Sequence, residues 1–177
     1  MKVIVYMAMT ANGLIATERD DVWFVSKASW KSFNRMSRRA GNLVMGRRTL
    51  DVSIKGTEPY ASDGSFPYPG RLNVIVSRRR IRNRWGKDVV FVRSPRAALA
   101  ELRKRGFKMA FVAGGGGVNA SFLQSGLVDE LFLDVEAAVL GKGIPLFAPF
   151  KGSVRLRLLG VKRLAPDTVQ LRYRVRG

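Results

Sequence analysis

The sequence predicts an α/β fold: a mostly parallel central sheet with flanking helices, closed by an antiparallel C-terminal hairpin. Two patterns carry this reading. Valine- and isoleucine-rich runs of strand length alternate with helix-length segments through the first two thirds of the chain, as in sheets built by helical crossovers. The last two apolar runs are separated only by Leu164-Ala165-Pro166-Asp167-Thr168, which reads as a hairpin turn. At 177 residues and 46% hydrophobic, the chain is long enough to bury a full core in one domain spanning 1–177.

Each element has its own signal. The opening run, 2–9, is too short to cross a membrane. Thr10 and Asn12 follow it and no convincing cleavage site is present, so it reads as a strand in a cytoplasmic protein. From about Ser26 to Ala40 the spacing predicts a helix, with Trp30, Phe33, Met36 and Ala40 inward and Lys31, Arg35 and Arg38 outward. Strands follow at 42–46, 72–77 and 88–93. Between the first two of these, Ser53 to Gly70 reads as a long loop, a feature of compact domains that is usually functional or disordered. Ser94-Pro95 supplies a cap and a first-turn proline to a helix that stops at Gly106. A strand at 109–113 meets four glycines, and another helix opens near Asn119 and ends at Gly126. Strands at 130–140, 154–162 and 168–175 complete the sheet.

Composition narrows the chemistry. The chain has no cysteine and no histidine, so disulfides, thiol nucleophiles, histidine-based triads and ordinary zinc sites are excluded, and no metal site is expected. Acid–base work falls to 13 carboxylates, the lysines, the tyrosines and water. A net charge of +19 favours anionic partners: nucleotides, phosphorylated metabolites or nucleic acid. Most of the basic clusters, such as Arg78-Arg79-Arg80 and Arg103-Lys104-Arg105, read as solvated faces. Trp23, Trp30 and Trp85 do not interleave with them as a stacking platform requires, and read as core or pocket wall.

The run Phe111-Val112-Ala113-Gly114-Gly115-Gly116-Gly117-Val118-Asn119 is the most informative. A strand, a glycine turn and a helix start let backbone N–H groups approach a phosphate, with the positive helix end behind them. It is neither the dinucleotide fingerprint, whose third glycine would fall on Asn119, nor a Walker loop, which needs a following Lys-Ser or Lys-Thr. A second signal is Asp134 and Glu136, which share one face of an apolar strand. Buried acids on a strand are costly without a cation, water or ligand. Two readings stay open: acid–base chemistry, or pairing with arginines at an oligomer interface or sheet edge.

Taken in order, five stretches resemble the dihydrofolate reductase-like superfamily. They are Met7 to Ala16, Val44 to Thr49, Asn73 to Arg78, the Ala113–Asn119 turn, and Gly126 to Leu131 through Leu140 to Phe147. The resemblance is closest to the branch holding the C-terminal reductase domain of the riboflavin-pathway deaminase/reductase. It implies an NADPH-dependent reductase of a small, heteroaromatic or phosphorylated and anionic substrate, acting as a homodimer. Carried over by position, Met7 and Ala8 would offer backbone groups to the nicotinamide, beside Ile15. Gly46, Arg47, Arg48 and Thr49 would form a strand-to-helix turn holding the pyrophosphate and adjacent phosphates. Ser77 and Arg78 would hold the 2′-phosphate, and Gly114, Gly115, Gly116 and Gly117 would lie under the diphosphate and ribose. Dihydrofolate reductases keep a carboxylate on the first helix, four residues before a phenylalanine. That position is Ser29 here, so folate reduction is the alternative activity, with Asp134 as a stand-in acid. The alternative of another class is a nucleic-acid-binding module on the same fold. Charge supports it, but no recognition motif does.

Overall fold

A computed structural model describes residues 1–56, 68 and 71–176. Its strands are β1 (Lys2–Thr10), β2 (Leu14–Ala16), β3 (Asn42–Gly46), β4 (Leu72–Val76), β5 (Val89–Val92), β6 (Met109–Val112), β7 (Glu130–Glu136), β8 (Ile144–Pro145), β9 (Arg155–Ala165) and β10 (Thr168–Arg176). Its helices are α1 (Lys27–Ala40), α2 (Arg47–Gly56), α3 (Pro95–Lys104) and α4 (Gly116–Gln124). Eight strands form one sheet in the order β5-β4-β3-β6-β1-β7-β10-β9. Pairings from β5 through β7 are parallel, whereas β10 runs antiparallel to both β7 and β9. The predicted α/β architecture and its closing hairpin are present.

Local chemistry explains the helix ends. The Ser26 side chain caps α1 by accepting from the Ser29 N–H at 3.2 Å. Gly41, at φ 67°, ends it and returns its N–H to the Ser37 and Arg38 carbonyls. Ser94 caps α3 through the Ala97 N–H at 3.2 Å, with Pro95 in the first turn. Both faces of the sheet are covered. Ala98, Leu99 and Leu102 of α3 and Phe122 and Leu123 of α4 pack on one face with Val3, Val5, Val44 and Val74. Ala40 of α1 and Leu50 of α2 pack on the other with Tyr6, Leu43, Met45, Ile75 and Phe111.

Four expectations are corrected. Residues 53–56 belong to α2 and not to a loop; the rest of that segment, apart from Tyr68, lies outside the described residues. The helix expected near Asn119 begins at Gly116, because the glycines themselves make its first turn. The strand expected over 130–140 ends at Glu136, where its partner strands β1 and β10 also end their pairing. Finally, Phe33, Met36 and Ala40 of α1 pack inward as expected, joined by the unexpected buried serines Ser29, Ser32 and Ser37, but Trp30 does not. Trp30 and Trp23 are 41% and 66% exposed, so neither is a core residue.

Candidate active site

Strand order places the site. β3 and β6 are neighbours in the sheet, yet α2, which follows β3, packs on one face, and α4, which follows β6, packs on the other. Where successive connections leave on opposite faces, the carboxyl ends of the strands open a crevice, the usual ligand site of an open α/β sheet. Here that crevice is flanked by two helix starts. Gly46 ends β3, α2 begins at Arg47 without a loop, and the Gly46 N–H donates to the Gly114 carbonyl at 2.8 Å. Thr49, in the first turn of α2, accepts from the Gly115 N–H at 2.7 Å. The first N–H groups of both helices have no intrahelical acceptor and carry the positive dipole ends.

The four glycines have different reasons to be glycine. Gly114 has φ 84°, and a Cβ there would lie 2.8 Å from the Met7 sulfur. At Gly115 a Cβ would sit 3.2 Å from the Thr49 hydroxyl and 3.9 Å from Ile15 Cδ1. At Gly116 it would overlap the Pro145 carbonyl oxygen, since the 140–148 segment closes over this turn through Ala148 N–H to Gly116 O at 3.0 Å. Gly117 is exposed and, among the described residues, a Cβ there would meet nothing within 4 Å. The turn is thus packed on its protein side and open at Gly117 and the helix start, which fits the close approach of a phosphate-bearing cofactor.

The neighbouring cations are arranged unequally. Arg47 pairs with Asp51 on its own helix. Arg48 bridges to Asp20 at 3.0 Å, tying the loop before α1 to the start of α2. The Ser77 hydroxyl, at the end of β4, is engaged with the Arg79 backbone at 3.1 and 3.2 Å. Arg78 beside it is exposed and, among the described residues, has no carboxylate partner. On the other side of the crevice, β1 pairs with β6 only as far as Val5↔Val112, while its pairing with β7 continues to Thr10↔Glu136. The β6-facing edge of β1 around Met7 and Ala8 therefore borders the crevice outside that ladder. The structure gathers Met7, Ile15, Gly46, Thr49 and the four glycines around one cleft, with Ser77-Arg78 one strand farther out.

Ser29 and Asp134 belong to a second cluster, on the α1 face. Glu136 Oε1 accepts from the Ser29 hydroxyl at 2.6 Å, the Ser26 hydroxyl at 3.1 Å and the Ser26 N–H at 3.0 Å. Its other oxygen accepts from Thr168 at 2.7 Å. Asp134, fully buried, accepts from the Tyr6 hydroxyl at 2.5 Å and the Gln170 amide at 2.8 Å. The amide also donates to Ser32 at 3.3 Å. Among the described residues neither acid meets an arginine, and β7 is an interior strand, so the edge-pairing reading is corrected. Hydroxyl and amide donors solvate these buried acids in place of cations.

The carboxylate bonded to position 29 is Glu136, while Asp134 lies two residues earlier on the strand. Burial raises the Asp134 carboxyl above its ordinary range, against the hydrogen bonds of Tyr6, Gln170 and Ser29, and the Glu136 charge adds to the rise. Burial and then Asp134 likewise raise the Tyr6 hydroxyl, which stays a donor. Sequence reasoning passed over Tyr6, Ser26, Ser32, Thr168 and Gln170. The available signal was Ser26, Ser29 and Ser32, spaced three apart along one side of α1.

Between α1 and α2 stands an aromatic wall. Phe33 meets Trp30 at 5.9 Å and Tyr68 at 6.4 Å, edge-on or tilted, and the Tyr68 hydroxyl lies 3.2 Å from that of Ser53. A planar ring fits such a surface.

Known proteins share this architecture. The sequence profile of the RibD C-terminal domain family matches residues 1–170. The Bacillus subtilis (strain 168) protein YwjB is 27% identical over 176 residues, covering 97% of each chain. A protein from Shewanella sp. PV-4 assigned to riboflavin biosynthesis superposes with a TM-score of 0.79 at 24% identity, over 100% of both chains. The Thermotoga maritima diaminohydroxyphosphoribosylaminopyrimidine deaminase/5-amino-6-(5-phosphoribosylamino)uracil reductase superposes at 0.73 and 18% identity. It matches 98% of this chain but only 56% of its own. At these identities the structural likenesses show the fold.

Proposed function

The chain belongs to the RibD C-terminal domain family, and on that footing we propose that it is an NADPH-dependent reductase of a small, anionic heteroaromatic substrate of riboflavin-pathway type. One observation carries the reading: two helix starts and a glycine turn open at Gly117 converge on the crevice between β3 and β6.

When bound, the cofactor supplies a hydride. The protein's part is to bind and orient. Gly117 and the first N–H groups of α2 and α4 receive the diphosphate, and Arg78 receives the 2′-phosphate through a forked guanidinium. The Met7 and Ala8 backbone orients the nicotinamide. The substrate ring lies against Trp30, Phe33 and Tyr68, and the positive surface draws in both anions. Asp134 is the acid biased toward holding a proton, and Ser29 is the hydroxyl that ties the neighbouring Glu136 to the first turn of α1.

A second activity, folate reduction, has one observation in its favour: Glu136 brings a carboxylate within 2.6 Å of the Ser29 hydroxyl. Stopped-flow NADPH oxidation with a ribosylaminopyrimidine phosphate and with dihydrofolate separates the two. Turnover of the former is expected, with dihydrofolate slow, and Asp134→Asn should slow turnover by ~10²–10⁴-fold if it supplies the proton. Robust wild-type dihydrofolate turnover would reverse the assignment.

We extend the proposal to a homodimer in the cytoplasm. Leu156, Leu158 and Val161 on β9 are 41, 53 and 60% exposed, an apolar face suited to a second copy. Among the described residues, no helix is long and apolar enough to cross a membrane.

A further inference from the structure

We propose that the opposite, basic face of the β9–β10 hairpin binds the phosphate backbone of double-stranded nucleic acid. The inference is independent of the reductase reading. It begins with a cross-strand register that is unfavourable in isolation. Arg155 lies directly opposite Arg176, and Arg157 directly opposite Arg174. Like charges at directly opposed positions destabilise a sheet, so four guanidiniums held this way are a cost unless an anion is shared between them. All four are exposed, and among the described residues none meets a carboxylate. β9 and β10 contain seven cations, Arg155, Arg157, Lys162, Arg163, Arg172, Arg174 and Arg176, and no acid within either strand.

The face is organised. Residues alternate along β10, so Gln170, Arg172, Arg174 and Arg176 look to the α1 side, where Gln170 meets Ser32. Arg172 is neutralised by Glu130 at 2.9 Å, and Lys2 takes the same carboxylate at 2.9 Å. Burial alone would raise that carboxyl, but the Arg172 and Lys2 donors hold it below its ordinary value. Beyond this pair the positive charge is unopposed among the described residues, and the exposed Lys31, Arg35, Arg38 and Arg39 of α1 continue it beside the sheet. Side chains two apart on a strand are about 6.7 Å apart and neighbouring strands about 4.8 Å, comparable to the spacing of successive phosphates on a nucleic-acid strand.

Charge and alternation select the occupant. A second copy of this chain would bring like charge against like charge. A membrane surface calls for apolar side chains beside the basic ones, but Leu156, Leu158, Val161 and Tyr173 lie on the reverse face. A single strand calls for aromatic stacking platforms, and Phe132, the ring on this face, is covered by Arg172 at 5.2 Å. A duplex read through its phosphates requires neither.

The test is fluorescence anisotropy of a mixed-sequence 20-base-pair DNA duplex, titrated with the full chain across a salt series. Two charge-matched variants are compared, each with four cations changed to Gln: Arg155, Arg157, Arg174 and Arg176 in one, and Arg80, Arg96, Arg103 and Lys104 in the other. The hairpin variant should lose at least about 30-fold in affinity and about 3–4 units of salt slope, at ~0.9 per phosphate contact, while the control loses under about 3-fold. The hairpin variant should also melt no lower than wild type, because opposed charges have been removed. The corresponding four Arg→Lys changes should keep most of the binding. Equal losses in both Gln variants would overturn the proposal, since the field of the whole molecule would then account for binding. Absence of duplex binding would overturn it too, as would binding to phosphatidylserine vesicles that the hairpin Gln changes abolish while duplex binding persists.

Discussion

At Asp134 the physics of a single group makes a pH prediction. Its folded-state pKa is raised, with burial the largest cause. Between the ordinary carboxylate value and the raised one, the native state holds a proton that the unfolded chain has released. Stability therefore falls as pH rises through that window, by about 1.4 kcal/mol per unit of elevation. Urea denaturation between about pH 4 and 8 should show wild type losing stability relative to Asp134→Asn as pH increases. Parallel pH profiles would show that Asp134 keeps its ordinary titration. Glu136 has a different task. Bonded to Ser26, Ser29 and Thr168, it fastens the first turn of α1 to β7 and β10. The two acids were legible in the sequence as a pair on one strand face, but their partners were not. Tyr6 and Gln170 lie 128 and 36 residues from Asp134, and only the order β1-β7-β10 brings them together.

Among the elements, the glycine turn allows a test that separates packing from binding. Gly116→Ala sets a methyl group against the Pro145 carbonyl and should destabilise the fold by about 1–3 kcal/mol, as overpacking does. Gly117→Ala meets nothing within 4 Å among the described residues. It should leave the melting temperature nearly unchanged while weakening NADPH in a calorimetric titration, because in the proposed binding mode the added methyl group would stand where the diphosphate approaches. Unchanged NADPH affinity in Gly117→Ala would remove that residue from the cradle. The hairpin gives a further prediction. Leu158→Lys on the apolar face of β9 should convert a sedimenting dimer at micromolar concentration to monomer, and a wild-type monomer would end the dimer proposal.

Element legibility followed local signals. The Ser94-Pro95 and Gly106 boundaries and the Pro166-Asp167 turn were readable because the residues themselves dictate backbone shape. At α2 the residues themselves gave no helix signal, because the helix starts straight from a strand with no acid in its first turn. Only the resemblance implied the strand-to-helix turn at Gly46 to Thr49, which is present. Of the four α1 residues expected inward, Phe33, Met36 and Ala40 do pack against the sheet, and only Trp30 was misread. The sheet under α1 is mixed: Ser29 and Ser32 meet Glu136 and Gln170, Phe33 meets Tyr6 and Phe111, and Trp30 turns outward.

At the scale of the molecule, an eight-stranded sheet divides the chemistry. Its β3/β6 crevice gathers glycines and helix starts, its α1 face holds two buried acids solvated by hydroxyls and an amide, and its last hairpin separates apolar from basic surface. A net charge of +19 was legible at once, but composition could not say which cations stay unpaired. Structure distinguishes Arg47 and Arg48, which have acid partners, from Arg78, which has none among the described residues. That difference makes Arg78 the most direct test of the central claim. Calorimetric titration of wild type and Arg78→Ala with NADPH and with NADH should show wild type preferring NADPH. The substitution should cost NADPH binding ~1.5–3 kcal/mol and leave NADH nearly unchanged, as expected for one lost charge-assisted contact to the 2′-phosphate. No NADPH binding by wild type, or equal losses for both cofactors, would contradict it.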